Sequence, residues 1–447
     1  MKYFSLLALS LLTLSASAQT TVKQDAGIKQ MVDEVSAKNI EAIVRKLVSF
    51  KTRHTLSDTV SKTEGIGAAR NWIKAEYERY AAASNGRMKV EFDAFVQPKG
   101  NRMDNPTPMK NVLAILKGTD TADKRIYIVS GHYDSRVTDV MNAKSFAPGA
   151  VDDASGTAVS MELARVMAKR SFPATIIFMA VVAEEQGLYG SANVAKRAKA
   201  EGWQIDAMLN NDIVGNTYGM ETGLKDNRSV RVFSEGVPAG ETEKQAATRN
   251  SVGGENDSPA RELARYTKEI AERYVDQLDV KLIYRRDRYL RGGDHTSFSQ
   301  QGFTAIRITE MNEDFNRQHQ DIRKENGVDY GDLPDFADYD YTQKVGRMNL
   351  SVLANLALAP AAPQNVVIQT SGLTNKTSLK WDAPKGKTPT GYYILMRETT
   401  SAFWEKKFYV TTTTANFGYS KDNYLFAVQS VDANGHESLP IFPKPGR

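Results

Sequence analysis

The chain has 447 residues, 41% of them hydrophobic and 25% charged, which is enough to bury at least one large core and to divide into two or three domains. The net charge of +5 is small for that length, and acidic and basic residues are interleaved, which argues against a nucleic-acid partner. There is no cysteine, so disulfides, a thiol nucleophile and lipid attachment through cysteine are all excluded.

At the N-terminus Lys2 precedes an apolar run from Phe4 to Leu14, and Ala16-Ser17-Ala18 supplies the small residues of a cleavage site. Residues 1–18 therefore read as an export signal. The run falls well short of the ~20 residues that span a bilayer, and no second long apolar run follows. A periplasmic or extracellular protein without stable membrane insertion is expected.

From Ala26 to Phe50, residues Ile28, Met31, Val32, Val35, Ile40, Ile43, Val44 and Leu47 recur at helical spacing. A further helix is expected over Thr63 to Ala83, with Trp72, Ile73 and Tyr77 on its buried side. Gly65-Ile66-Gly67 lies within it, but a dinucleotide fingerprint needs a preceding strand and a third glycine, and both are missing.

The period changes to that of strands at Met88. Val90 to Val96 and Asn111 to Lys117 read as an antiparallel pair, and Arg125 to Ser130 as a strand ending in Gly131-His132-Tyr133-Asp134. Gly149 to Gly156 (GAVDDASG) then opens a helical pattern that reaches Lys169. After Pro173, the near-continuous apolar run Ala174 to Val182 is typical of a strand buried on both faces, and it ends in Ala183-Glu184-Glu185. A helix over Ser191 to Ala200 and a strand Ala207 to Asn210 ending in Asn211-Asp212 complete an alternation of strand and helix. That alternation predicts an α/β fold, a mostly parallel mixed sheet with helices on both faces.

Gly215 to Ser258 reads as a long polar loop with one short strand, Val230 to Phe233. Pro259 to Leu278 returns to helix, Lys281 to Tyr284 to strand, and Gly292-Gly293-Asp294-His295 to a turn. Phe303 to Thr309 is a late strand leading to a polar loop with His319, and Tyr341 to Leu358 is a closing helix. The proline-punctuated stretch Ala359 to Pro363 then separates a region of short strands at regular spacing, which predicts a small all-β sandwich. The expected division is residues 19–359, a linker at 360–364, and the sandwich at 365–447.

Several strand ends thus carry groups able to bind metal. His132 and Asp134 are two apart, so both point the same way, which suits a histidine ligand oriented by a carboxylate. Asp152 is a candidate bridge between two metal ions, while Asp153 reads equally as a helix-capping residue. Glu184 and Glu185 suit a divided task, one binding metal and one moving protons. Asp212 adds a further carboxylate. A second histidine ligand is either His295 or His319, and spacing leaves the choice open. Mixed nitrogen and oxygen ligands of this kind suit zinc. No G-x-S-x-G elbow is present, and Gly386-Lys387-Thr388 falls in the β region as a turn.

The pieces GHYDS, GAVDDASG, AEEQGLYGS, NNDIVG, GGDHTSF and RQHQD, in that order, resemble the secreted co-catalytic zinc exopeptidases. That family includes bacterial leucyl aminopeptidase, aminopeptidase S and aminopeptidase Y, with glutamate carboxypeptidase a wider relative. The resemblance implies two zinc ions bridged by Asp152, with His132 and Asp212 on one and Glu185 and His319 on the other. It further implies Glu184 as general base, Asp134 as the partner of His132, and a cis peptide between Asp152 and Asp153. Where many relatives have serine before the Asp-His pair, this chain has Gly293. The C-terminal region resembles a fibronectin type III module, through Trp381, GYYILMR and YLFAVQSVDANGHES.

The resulting expectation is a secreted aminopeptidase acting on peptides, with a carboxypeptidase or dipeptidase on the same fold as the alternative. A carboxypeptidase would use Arg285, Arg286, Arg288 or Arg291 to grip a substrate carboxylate. A non-enzymatic binding protein on a peptidase scaffold is the reading from another class. The C-terminal module is expected to act as a spacer, with cell-surface or polysaccharide contact as a further role.

Overall fold

The computed structural model describes residue 22 and residues 24–446. The expected export signal, residues 1–18, lies outside them. Helices α1 (Ala26–Asp33), α2 (Ala37–Val48) and α3 (Gly65–Ala81) are followed by β1 (Met88–Gln97), β2 (Thr107–Leu116) and β3 (Arg125–His132). Then come α4 (Ser155–Met167), β4 (Thr175–Val181), α5 (Tyr189–Ala200) and β5 (Gln204–Asn211). Among the described residues no helix is long and apolar enough to cross a membrane.

The chain continues through the small hairpin β6 (Tyr218–Gly219) and β7 (Leu224–Lys225), then β8 (Ser229–Phe233), α6 (Glu243–Val252), α7 (Pro259–Tyr274) and β9 (Asp279–Ile283). The larger unit closes with α8 (Asp294–Gln300), β10 (Ala305–Glu310), the hairpin β11 (Arg323–Glu325) and β12 (Val328–Tyr330), and α9 (Tyr339–Leu358).

One eight-stranded sheet, in the order β1-β2-β4-β3-β5-β10-β8-β9, organises this unit. Its centre, β4-β3-β5-β10, is parallel, and β1, β2 and β8 join it antiparallel. Strand β4 explains why both faces are covered. Ile176, Phe178 and Ala180 enter a core shared with α1, α2, α3, α4, α7 and α9, while Ile177, Met179 and Val181 enter a second core with α5 and α8. Alternate side chains of a strand point to opposite faces, so an apolar run without alternation needs a layer on each side. The predicted α/β class and its two helical layers are thus what the chain adopts.

Helix α6 was not foreseen. None of its residues is buried, so it lacks the apolar stripe that periodicity detects. Its start was legible in another way: Thr242 and Gln245 form a capping box, the side chain of each bonding to the backbone of the other.

The C-terminal region forms two sheets that enclose a core of Val366, Leu379, Trp381, Ile394, Phe408, Phe426 and Val428. One contains β13 (Gln364–Gln369), β14 (Thr377–Asp382), β17 (Thr414–Phe417) and β19 (Lys444–Gly446). The other contains β15 (Gly391–Glu398), β16 (Lys406–Val410) and β18 (Tyr424–Val431). Short, edge-lying β17 and β19 carry too little periodicity to have been assigned from sequence.

This sandwich is fastened to the larger unit. Arg397 Nη2 sits 2.8 and 2.9 Å from the two oxygens of Asp257, which also meets Arg265 at 3.2 Å. Glu262 accepts from Arg265 at 2.6 Å and from the Trp404 indole at 2.9 Å. Glu437, fully buried, accepts from Arg273 and Lys407, each at 3.1 Å. The connection is held as well, since Arg125 donates to the carbonyls of Ala359 at 2.8 Å and Pro360 at 3.3 Å.

Candidate metal centre

The parallel strands deliver their side chains at one edge. His132 ends β3, Glu184 and Glu185 follow β4, and Asp212 follows β5, all at carboxyl ends, where α/β sheets place their sites. His319 arrives from the loop after β10. The Asp152–Asp153 pair enters from the start of α4 and is joined by a cis peptide. Close approach there requires small residues: a Cβ on Gly131 would stand 2.2 Å from Gly156 C, and one on Gly156 would stand 2.3 Å from Asn211 O.

The two oxygens of Asp152 face two different histidines. Oδ1 lies 3.2 Å from His132 Nε2, and Oδ2 lies 2.8 Å from His319 Nε2. On the first side Asp212 Oδ1 is 3.9 Å from His132 Nε2, and on the second Glu185 Oε1 is 2.9 Å from His319 Nε2. Within each trio, His132-Asp152-Asp212 and Asp152-Glu185-His319, one donor atom per residue falls within 4.8 Å of the others.

The donors also have spare capacity. Glu185 Oε1, Asp212 Oδ2 and His319 Nε2 are buried and make no protein hydrogen bond of acceptable geometry. An unmade hydrogen bond on a buried polar atom costs about 1–3 kcal/mol. A cation between such atoms would relieve that cost, so the residues present fit divalent metal.

Asp134 orients this constellation. His132 Nδ1 lies 3.2 Å from its carbonyl oxygen and 3.5 Å from its Oδ1, which leaves Nε2 turned toward Asp152 and Asp212. The same carboxylate accepts from Glu184 N at 3.3 Å, Glu185 N at 3.2 Å and the Thr55 hydroxyl at 3.0 Å, so it ties the end of β3 to the end of β4. Asp153 serves the backbone, accepting from His132 N at 2.9 Å, Gly156 N at 2.9 Å and Ile213 N at 3.2 Å.

Burial would raise the Asp152 carboxyl, but His319 and His132 outweigh it and hold the group well below the usual carboxylate range. Glu184 behaves oppositely. Its burial, with Asp212, Glu185 and Asp294 nearby and His132 opposing, pushes it well above that range. One carboxylate is thus kept ionised for a cation and the other is kept ready to hold a proton.

His295 is turned elsewhere: its Nε2 is 2.9 Å from Arg286 O, and burial lowers it to about 4. Asp294, one residue earlier, is fully buried, and both its oxygens lack a protein partner. Three supporting residues were not legible in the sequence. Asp332 accepts from Val151 N at 2.9 Å and Asp152 N at 2.8 Å. Buried Arg53 donates to the carbonyls of Tyr133, Pro148 and Gly149 at 2.7, 2.6 and 2.8 Å. Arg307 stands 3.0 Å from Asp212 and 3.3 Å from Asp287. They come from distant parts of the chain, and no local spacing signals them.

Set beside known proteins, residues 111–348 match the profile described as Peptidase family M28. A probable zinc metalloprotease of Leptosphaeria maculans is 50% identical over 420 residues, covering 94% of this chain and 97% of its own length. Another, from Pyrenophora tritici-repentis, is 49% identical over 429 residues, 94% of this chain and 88% of its own. Among solved structures, the Legionella pneumophila LapA aminopeptidase shares the fold, with a TM-score of 0.53 at 18% identity over 80% of each chain. LapB from the same organism gives 0.54 at 19% identity, over 76% of this chain and 79% of its own.

Proposed function

Because the chain belongs to peptidase family M28, we propose that it is a dinuclear zinc aminopeptidase that releases the N-terminal residue of peptides. The observation that carries this reading is Asp152, whose two oxygens face His132 and His319 from opposite sides. His132 and Asp212 would hold one ion, Glu185 and His319 the other, with Asp152 shared. The relatives, probable zinc metalloproteases, point to zinc, as does the donor set of imidazole and carboxylate. Bound there, zinc would polarise a scissile carbonyl and acidify a water.

The chain's own residues supply the rest. Glu184 lines the pocket beside Asp152, Glu185 and Asp212, and its raised affinity for protons suits it to take one from the attacking water and pass it to the leaving amine. Asp134 holds His132 in the tautomer that leaves Nε2 free. The carboxylates on the pocket floor suit a substrate's free α-ammonium, which would confine cutting to chain ends.

Export to a periplasm or beyond belongs to the same proposal, on the strength of residues 1–18. So does a fibronectin type III-like identity for the C-terminal sandwich, supported by its two-sheet core around Trp381. The buried ion pairs at the seam favour a module that braces the larger unit over a free spacer.

The test is a panel of aminoacyl chromogenic substrates with and without a chelator, run on wild type and on Glu184→Gln. Chelator-sensitive release is expected from the wild type. E184Q is expected to keep its zinc and lose turnover by about 100-fold or more. Release that ignores the chelator, or an E184Q enzyme that turns over normally with full zinc, counts against the reading. An amino-blocked and a carboxy-blocked peptide separate aminopeptidase from carboxypeptidase action.

A further inference from the structure

The pocket above the metal centre encloses about 430 Å³, and four arginines line it: Arg102, Arg136, Arg288 and Arg291. Two of them are matched by acids. Arg136 Nε lies 2.9 Å from Glu185 Oε2, and Arg288 meets Glu313 at 2.6 Å and Asp287 at 3.2 Å.

The other two have no acid of their own among the described residues. Arg102 donates through Nη1 to the Glu185 carbonyl at 2.7 Å, which aims the guanidinium but leaves its charge uncompensated. Arg291 is held only through its backbone N–H, 3.1 Å from Arg288 O, and its guanidinium has no protein partner among those residues. Arg285, stacked 3.7 Å from the Tyr289 ring, braces the loop that presents it.

The remaining walls offer little to a large apolar side chain. Leu188 and Ile213 are the long aliphatic residues of the lining, whereas pockets for apolar ligands are predominantly hydrophobic and aromatic. In the proposed dinuclear centre, the carboxylates of Asp152, Glu185 and Asp212 would be engaged in holding the ions. Arg102 and Arg291 are then the basic side chains of the lining that have no acid of their own among the described residues. A planar guanidinium with free N–H groups is matched by a carboxylate, which accepts two hydrogen bonds side by side.

We infer that Arg102 and Arg291 form a carboxylate-binding subsite, so that the preferred substrates are short peptides with a carboxylate close to the scissile bond. The carboxylate is either the C-terminus of a dipeptide or an acidic side chain. This rests on the metallopeptidase reading above and adds to it the class of peptide selected.

The experiment measures kcat/KM of the zinc-loaded full chain on Ala-Ala, Ala-Ala amide, Ala-Glu amide and Glu-Ala amide. At least one carboxylate-bearing peptide should exceed Ala-Ala amide by about tenfold or more, mainly through KM. Which one does so identifies the source of the carboxylate. In Arg102→Gln/Arg291→Gln the ratio should fall to near one. A wild-type ratio near one, or a preference that survives in the double variant, overturns the inference while leaving peptidase activity intact.

If no peptide is cleaved at all, the metallopeptidase reading fails first, and direct binding still decides the subsite. Titration of glutarate into the zinc-loaded protein should show a Kd raised about tenfold or more in the double variant, whose fold is checked by thermal unfolding. Equal affinity for wild type and variant overturns the subsite.

Discussion

At the seam between the two units, Asp257, Glu262, Glu269 and Glu437 each contact at least one of Arg265, Arg273, Arg397 and Lys407. At the metal centre the acids stand in excess. Asp294 has no base on either oxygen, Asp153 is satisfied by backbone N–H groups, and Asp152 and Glu185 share His319. Both regions bury charge, and charge is too costly to bury uncompensated. Where the chain supplies both signs, the result is a structural joint. Where it supplies mostly one sign, with buried oxygens left over, some acids are pushed toward holding protons, as Glu184 and Asp294 are, and the rest leave room for a cation.

The largest expected effect tests the unbalanced side. Asp152→Asn should leave less than stoichiometric zinc by elemental analysis and reduce kcat/KM by at least about a thousandfold, near 4 kcal/mol of transition-state stabilisation. Chelation of the wild type should lower its Tm and zinc should restore it, because a ligand bound only by the folded state stabilises by about 4 kcal/mol at a thousand times its Kd. A D152N protein that keeps two zinc ions would erase the contrast.

The seam should respond in stability and not in metal. Asp257→Ala strands Arg397 and Arg265 together, and breaking a buried pair costs about 3–5 kcal/mol. Urea unfolding should show that loss while zinc per folded molecule stays unchanged. A D257A protein of normal stability but depleted zinc would mean that the two regions are not separate devices.

A smaller effect probes the charged support beside the metal centre. Burial opposes ionisation of Asp287, but Arg307, His295 and Arg288 outweigh it and hold it down to about 2, below its ordinary 3.8. A carboxylate with a depressed folded-state pKa binds fewer protons folded than unfolded. Its contribution, about 2 kcal/mol, is therefore complete above pH 3.8 and is lost as pH falls toward 2. The stability gap between wild type and Asp287→Asn should shrink over that interval. A gap that is constant from pH 5 to pH 2 would show that Asp287 acts by shape and not by charge.

Much of the fold was written in local pattern. The unalternating run Ala174 to Val182 required a layer on each face, and it received α4 and α9 on one side and α5 and α8 on the other. Most strands between residues 364 and 431, β17 aside, were recognisable because their turn residues recur at short intervals. Helix α6 escaped because a helix with no buried face has no apolar period to read, and β19 because three residues at a sheet edge bury almost nothing.

The metal centre divides the same way. The sequence alone determined which residue types are present to bind metal, since His132, Glu184, Glu185 and Asp212 sit at the ends of strands whose periodicity marks them. It also determined the family, through short motifs whose order is a property of the chain. Spacing left His295 and His319 open and the motif resemblance implied His319; the tertiary structure shows His319 facing Asp152 and His295 turned to Arg286, because each histidine sits in a loop whose path depends on contacts far away in sequence. Only the tertiary structure placed Asp332, Arg53 and Arg307, and the arginines at the pocket mouth. Charge compensation acts through a few ångströms of space, and spacing along the chain carries no record of it.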